Sequence, residues 1–415
     1  MNLLVENIGE LLTLAARDPR TLGVVHDAAV LITNGRIAFA GATTQLDRAT
    51  VPRDTPTLDA RQALVTPGLV EPHAHPIFAG SRANEFAMRA RGATYLEIQA
   101  QGGGILSTVR ATRAATDDQL IASTCARLDR FLAHGTTCLE AKTGYDLSID
   151  GELRLLRLLK IVGERHVVEL SPTLLAHVPP PPELQAIDGD NRTTYVRRFC
   201  TKAIPTAATQ QLAEAVDVYC DEGAFTLSET RAILEAAKKA GLALRVHAEQ
   251  FTHTGAAELA AELGARSVEH MERASLEAPA RLATAGTVIN LLPGAALTLR
   301  LPWPDVKRLR DADCAMAIGT DCNPGSSLSE SQPLMMSIAV MQMGLTVEQA
   351  WLGVTRHAAR AVGRGDRGHL AVGAVGDLVV WDETDHRQLV QHLGGARTKN
   401  VVTRGRVHHF QNSAS

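Results

Sequence analysis

Eight short apolar runs, separated by stretches with helical periodicity, constrain this chain more than any other feature. The runs fall at 69–72, 136–140, 167–175, 215–219, 242–246, 267–269, 287–292 and 315–319. Helical patterns fit the gaps, for instance at 152–164, 228–240, 254–263 and 346–362. Ser228 is a fair N-cap for its helix, although Arg231 leaves the capping box incomplete. Buried parallel strands read as continuous apolar segments and need helical crossovers between them. The alternation therefore predicts an α/β fold, a TIM-type (β/α)8 barrel, with its reactive groups at the C-terminal ends of the strands.

The two chain ends look alike and unlike the middle. Residues 28–41 read as two strands joined by an Asn34-Gly35 hairpin turn, and 376–381 and 400–407 are strand material as well. The expectation is one small β-sandwich assembled from both termini, with its parts at 1–66 and 366–415, around a barrel at 67–365. A length of 415 residues suits one large barrel with such an appendage. Aromatic residues are only 4% against 45% hydrophobic, so the core must be built mainly from Ala, Val, Leu and Ile. The long interval between the first two strands contains Gly102-Gly103-Gly104. It lacks the Lys-Ser/Thr pattern and strand-to-helix context of a phosphate cradle and reads as an inserted lid or active-site loop.

A net charge of −3 gives no reason to expect nucleic acid or an anionic membrane as partner. None of the six cysteines forms a CxxC pair, which fits reduced thiols of a cytoplasmic protein. Cys322 stands beside Asp321 but reads as structural. The N-terminus has no basic region or cleavage pattern of a signal peptide, and no apolar stretch is long enough to span a bilayer.

His73 and His75 directly follow the first strand, and side chains two apart on a strand share one side. His247, His270 and Asp321 end three later apolar runs. Every one of these residues thus falls at the face where a barrel carries its chemistry. A hydrolytic metal site wants three or four protein ligands and an open position. His73, His75, His247 and Asp321, from the first, fifth and eighth strands, meet that need. Such a metal acidifies water and polarises a carbonyl, and Asp321 could take the proton. His270 is placed to hydrogen-bond a substrate oxygen, to shuttle a proton, or to orient a ligand. Lys142 follows the second strand and reads as a structural ion pair, not a metal bridge, so one metal per chain is expected. His134, His166, His253 and the His408-His409 pair read as surface or structural.

The order HxH, His, His, Asp on a barrel flanked by a terminal sandwich resembles the amidohydrolase superfamily. Within it, several segments are similar to the imidazolonepropionase family of histidine degradation. These are TPGLVEPHAH at 66–75, AGSR at 79–82, QGGGILSTVRATR at 101–113, AKTGY at 141–145 and TDCNPGSS at 320–327. The glycine-containing segment and the late loop are far more specific than HxH. The resemblance implies hydrolysis of 4-imidazolone-5-propionate to N-formimidoyl-L-glutamate; a homodimer is the expected assembly. It places one zinc or iron on His73, His75, His247 and Asp321. It places substrate contacts on Arg82, Tyr145, His177, Gln250, Asn323, Gly325 and Ser326.

Several of these positions also make physical sense. Arg82 offers a planar fork for a carboxylate. Tyr145 and His177 lie just past the second and third strands, His177 before the stiff loop of Pro179–Pro182. Asn323, Gly325 and Ser326 form a tight loop whose backbone N–H groups could meet a carboxylate or an oxyanion. One departure limits the mechanism: some family members carry Glu three places after the fifth-strand histidine, where this chain has Gln250. A carboxamide cannot shuttle protons, so Gln250 should bind the ring, the role of Glu249 stays open, and the catalytic proton work falls to Asp321 and His270. The rival readings are an aminohydrolase acting on a purine or pyrimidine, and a non-catalytic metal-binding barrel.

Overall fold

A computed structural model describes residues 1–410 apart from 17, 19, 93–102 and 190. Gln101 and Gly102 of the expected lid loop lie outside the described residues.

The N-terminal arm contributes β1 (Leu3–Leu12), β2 (Val24–Thr33), β3 (Arg36–Ala42), β4 (Thr57–Asp59) and β5 (Leu64–Pro67). Asn34 and Gly35 both take positive φ between β2 and β3, as a tight hairpin between right-twisted strands requires. The middle of the chain then supplies β6 (Leu69–Glu71), β7 (Thr136–Lys142), β8 (Glu169–Ala176), β9 (Ala215–Cys220), β10 (Ala243–Ala248), β11 (Ser267–His270), β12 (Val288–Leu291) and β13 (Met316–Ile318). The C-terminal arm adds β14 (Leu378–Trp381), β15 (Thr398–Thr403) and β16 (Arg406–His409).

Strands β6 to β13 pair in sequence order, all parallel. The ring closes just beyond its shortest members. Ala74 and Cys322 form a parallel bridge, the His75 N–H donates to the Cys322 carbonyl at 3.0 Å, and the Asp321 N–H donates to the His73 carbonyl at 3.0 Å. The backbone that completes the barrel is therefore the backbone that carries His73, His75 and Asp321.

The two arms meet in one eight-stranded sheet of order β16-β15-β14-β5-β1-β2-β3, with β4 paired to β1. The β5–β14 pairing, antiparallel, joins the arms. Alternation along β14 divides its two faces. Leu378 and Val380 join Val5, Ile8, Ile32, Val65 and Val402 in a core enclosed by the sheet itself. Val379 and Trp381 instead pack with Leu64 and Val401 into the large core shared with the barrel and its helices.

Two expectations about helices need correcting. The helix at 227–239 is capped by Thr226, not Ser228, and the box is complete: Thr226 accepts from the Glu229 N–H while the Glu229 carboxylate accepts from the Thr226 N–H. The pattern at 346–362 is two helices, Val347–Gly353 and Arg356–Val362. Between them the Val354 carbonyl accepts the Val70 N–H of β6 at 2.9 Å, and the Thr355 hydroxyl bonds back to the Trp351 carbonyl at 2.5 Å. Those contacts divert two acceptors that a continuous helix would use.

Candidate active site

The groups expected to act together are brought together. His73, His75 and His247 are buried, and one ring nitrogen from each lies within 4.8 Å of the others. Asp321 Oδ1 stands 3.4 Å from His73 Nε2 and 3.4 Å from His75 Nε2. Neither ring nitrogen of His73, nor Nδ1 of His75, has a hydrogen-bond partner among the described residues. Buried imidazoles without partners cost stability unless something binds them, and this donor set fits a borderline divalent cation.

The charge states agree with that use. Burial, helped by the positive charge of Lys142, holds His73 well below the ordinary imidazole range. Burial likewise takes His247 down to about 4, against the pull of Asp217. Both rings are thus neutral at physiological pH, the state in which an imidazole can bind a metal. Burial opposes ionisation of Asp321, but its contacts with His73 and His75 prevail and keep it well below the usual carboxylate range.

A second layer of buried charge, only partly expected, supports these residues. Asp217 on β9 sits 3.0 Å from His247 Nδ1 and accepts from Lys142 Nζ at 2.5 Å; Lys142 also donates to Glu140 at 2.8 Å. Lys142 is therefore an ion-pair partner. Glu71 accepts the His73 N–H at 2.9 Å, the Thr320 N–H and the Gln332 amide, which ties β6 to the end of β13. Burial pushes Glu71 up to about 8. On the next strand round, His270 lies 3.6 Å from Glu272; burial lowers its affinity for a proton, yet Glu272 outweighs this and raises it. Glu249, His270, Met271 and Asp321 all have positive φ, so non-glycine backbone strain gathers at these strand ends.

Above the histidines opens a cavity of about 650 Å³. Arg82, Tyr145, His177 and Gln250 line it, and so do Asn323, Gly325 and Ser326. His177 directs Nδ1 to the Gly144 carbonyl at 2.9 Å, and burial with nearby His75 takes it down to about 3. It is neutral, with Nε2 left as the other ring nitrogen. Gly144 permits this approach: at φ +111° an added Cβ would meet Leu175 at 2.8 Å and His177 at 3.1 Å. Gln250 accepts the Tyr219 hydroxyl at 3.0 Å, which orients the amide.

Other details differ from expectation. The N–H groups of Gly325 and Ser326 both donate to Asn323 Oδ1 at 2.8 Å, so the loop spends them on itself. Glu249 is buried away from the cavity, bonded to His253 and to the N–H groups of Thr254 and Ala257. Burial drives the Cys322 thiol well above its ordinary value, which suits a structural role. Arg82 is not free: its Nε and Nη2 engage Glu85 at 2.8 and 2.7 Å. Glu85, Arg89, Tyr219, Asp217 and Glu272 were not singled out from sequence. An acid inside the apolar run of β9 was a usable signal for Asp217. The spacing 82, 85, 89 along one helix was a usable signal for Glu85 and Arg89.

Among known proteins, residues 95–409 match the Amidohydrolase family. An imidazolonepropionase of Geobacillus sp. (strain WCH70) is 41% identical over 416 residues, covering 98% of this chain and 97% of that protein. The imidazolonepropionase of Myxococcus xanthus (strain DK1622) is 40% identical over 412 residues, again 98% and 97%. The crystal structure of an adenosine deaminase from Xanthomonas campestris with bound zinc matches at a TM-score of 0.69 and 19% identity, over 98% of this chain and 92% of that one. That last likeness is one of fold.

Proposed function

The chain belongs to the amidohydrolase family and, within it, to the imidazolonepropionases, and from that membership we propose that it opens 4-imidazolone-5-propionate by hydrolysis of a ring C–N bond, giving N-formimidoyl-L-glutamate. The observation that carries this reading is the meeting of the buried His73, His75 and His247 cluster and its neighbour Asp321 with a cavity that Arg82 and Arg89 also line. His73, His75, His247 and Asp321 would hold one divalent ion, zinc or iron, since imidazole and carboxylate suit both. When bound, that ion supplies Lewis acidity toward a carbonyl and lowers the pKa of water.

The protein's own groups account for the rest. Arg82 and its neighbours hold the propionate, while Tyr145 and His177 flank the ring. Gln250, with its carbonyl oxygen occupied by Tyr219, presents its NH2 to a ring acceptor. As water attacks the lactam carbonyl, Asp321 takes its proton and returns it to the ring nitrogen that departs. His270, kept cationic-prone by Glu272, donates to the oxygen on which negative charge develops. The same reading divides the chain into residues 1–66 and 366–415, building the terminal sheet, and 67–365, building the barrel. A cytoplasmic setting is supported by six unpaired cysteines, and no helix among the described residues is long and apolar enough to cross a membrane.

The assay is turnover of imidazolone propionate beside purine and pyrimidine bases. Formiminoglutamate as product supports the reading. Deamination of a base, with the imidazolone left at its spontaneous decay rate, would overturn it.

A further inference from the structure

Three charged residues line the cavity wall from a single helix. Arg82 is the N-cap of the helix Ala83–Ala90, and Glu85 and Arg89 follow at i+3 and i+7, so all three share one face. Glu85 takes Arg82 Nε and Nη2 on one carboxylate oxygen, and its other oxygen accepts the Gly104 N–H at 3.0 Å and the Ser107 hydroxyl at 3.1 Å. Both partners are well covered, with side-chain exposures of 13% and 9%. The Arg82–Glu85 pair is thus closed and electrically neutral. It offers a carboxylate a donor, but with a like charge directly behind it.

Arg89 differs. It is half-buried, its Nη2 donates to the Gly325 carbonyl at 2.9 Å, and no carboxylate among the described residues pairs with it. Arg82 reaches the same place, since a Cβ on Gly325 would lie 2.3 Å from its Nη1. Two guanidiniums therefore converge on Gly325, and the triad's single uncancelled charge belongs to Arg89.

We propose that Arg89 is the residue that makes this site select a carboxylate-bearing ring, with Arg82 shaping the contact and Glu85 cancelling its charge. This rests on the reading of the cavity as a site for imidazolone propionate. An incoming carboxylate brings the triad to neutrality, whereas an uncharged side chain of the same shape leaves Arg89 uncompensated. Glycine at 325 leaves the Arg82 guanidinium its place, since an added Cβ would collide with it.

The test uses binding, so that it does not depend on turnover. Metal-loaded protein is titrated calorimetrically with imidazole-4-propionate and with its neutral amide. The wild type should prefer the acid. Arg89→Met should weaken the acid about ten- to a hundredfold, as loss of a charge-assisted contact does, and shift the amide by less than about threefold. Arg89→Lys should keep most of the preference. Arg89→Met combined with Glu85→Gln should regain it, because the charge of Arg82 is then no longer cancelled. Equal weakening of acid and amide in Arg89→Met, without rescue by lysine, would make Arg89 a mere prop for the Gly325 loop and overturn the proposal. So would an acid preference that Arg89→Met leaves intact. Failure of the function reading is distinguishable, since it shows as absent turnover of the imidazolone while the binding preference persists.

Discussion

At the scale of single residues, the site was legible wherever chemistry demanded a rare residue at a strand end. His73, His75, His247 and Asp321 could be picked from the sequence because imidazoles and carboxylates seldom terminate apolar runs without cause. Their supporting residues were harder to see. Asp217 stands out as an acid inside an apolar strand, but its role follows only once its neighbour across the sheet is known: β9 and β10 pair in a register that sets Asp217 beside Arg245, and its carboxylate reaches His247. A carboxylate behind a ligating histidine fixes the ring and raises its basicity, and losing one commonly costs ten- to a hundredfold in metal affinity. Asp217→Asn is therefore expected to weaken divalent-metal affinity by about that factor in a chelator competition, with His247→Ala losing the metal and activity together. Arg82→Met should raise KM for the propionate substrate by about tenfold or more while leaving metal content near that of the wild type, because its Nε and Nη2 engage Glu85 and its Nη1 lies at Gly325, with none on the histidines. Unchanged KM in that variant would remove Arg82 from the substrate contacts.

At the scale of elements, sequence pattern located all eight barrel strands but misplaced helix ends. The strands were clear because burial on both faces leaves short, mostly apolar runs, even where a buried charge such as Asp217 or Arg245 interrupts them. The break at Val354-Thr355 was not, because it is made by a hydrogen bond from β6, about 280 residues earlier in the chain, which local periodicity cannot register. Similarly, Thr226 outcompeted Ser228 as a cap because Glu229 sits three places after Thr226 and completes the box. The turn after β7 carries its own prediction. Gly144 needs both its positive φ and its missing Cβ, so Gly144→Ala should cost about 1–3 kcal/mol in denaturant unfolding and displace His177. A stability within experimental error of the wild type would contradict the close approach drawn between Gly144 and His177.

At the scale of the whole molecule, the barrel and the terminal sheet are joined by charge as well as by apolar packing. Glu169, at the start of β8, pairs with Arg364 at 2.8 Å, with Arg367, and with Arg404 at 2.7 Å, while Arg367 also pairs with Asp377. Burial opposes ionisation of Glu169, but the surrounding arginines prevail and depress its pKa below the ordinary value. A depressed carboxylate contributes stability that is complete above its unfolded pKa and lost as pH falls through the folded one. Glu169→Gln should thus lower stability by about 1–3 kcal/mol at neutral pH, with the gap to wild type flat down to about pH 5 and closing below about pH 4. A gap that widens on acidification would contradict this linkage. The matching strand patterns of the two termini led to the expectation of one sandwich built from both, and the structure joins them in one sheet, but nothing in the sequence marked this junction, whose partners are far apart in the chain. The central claim, that this assembly hydrolyses an imidazolone lactam, is tested most directly by running metal-loaded protein with imidazolone propionate in oxygen-18 water and weighing the product. The account requires formiminoglutamate carrying one labelled oxygen in its new carboxylate, formed faster than spontaneous ring opening and lost in Asp321→Ala. Metal-loaded protein that yields no product above the uncatalysed rate, or whose product carries no label, would contradict it.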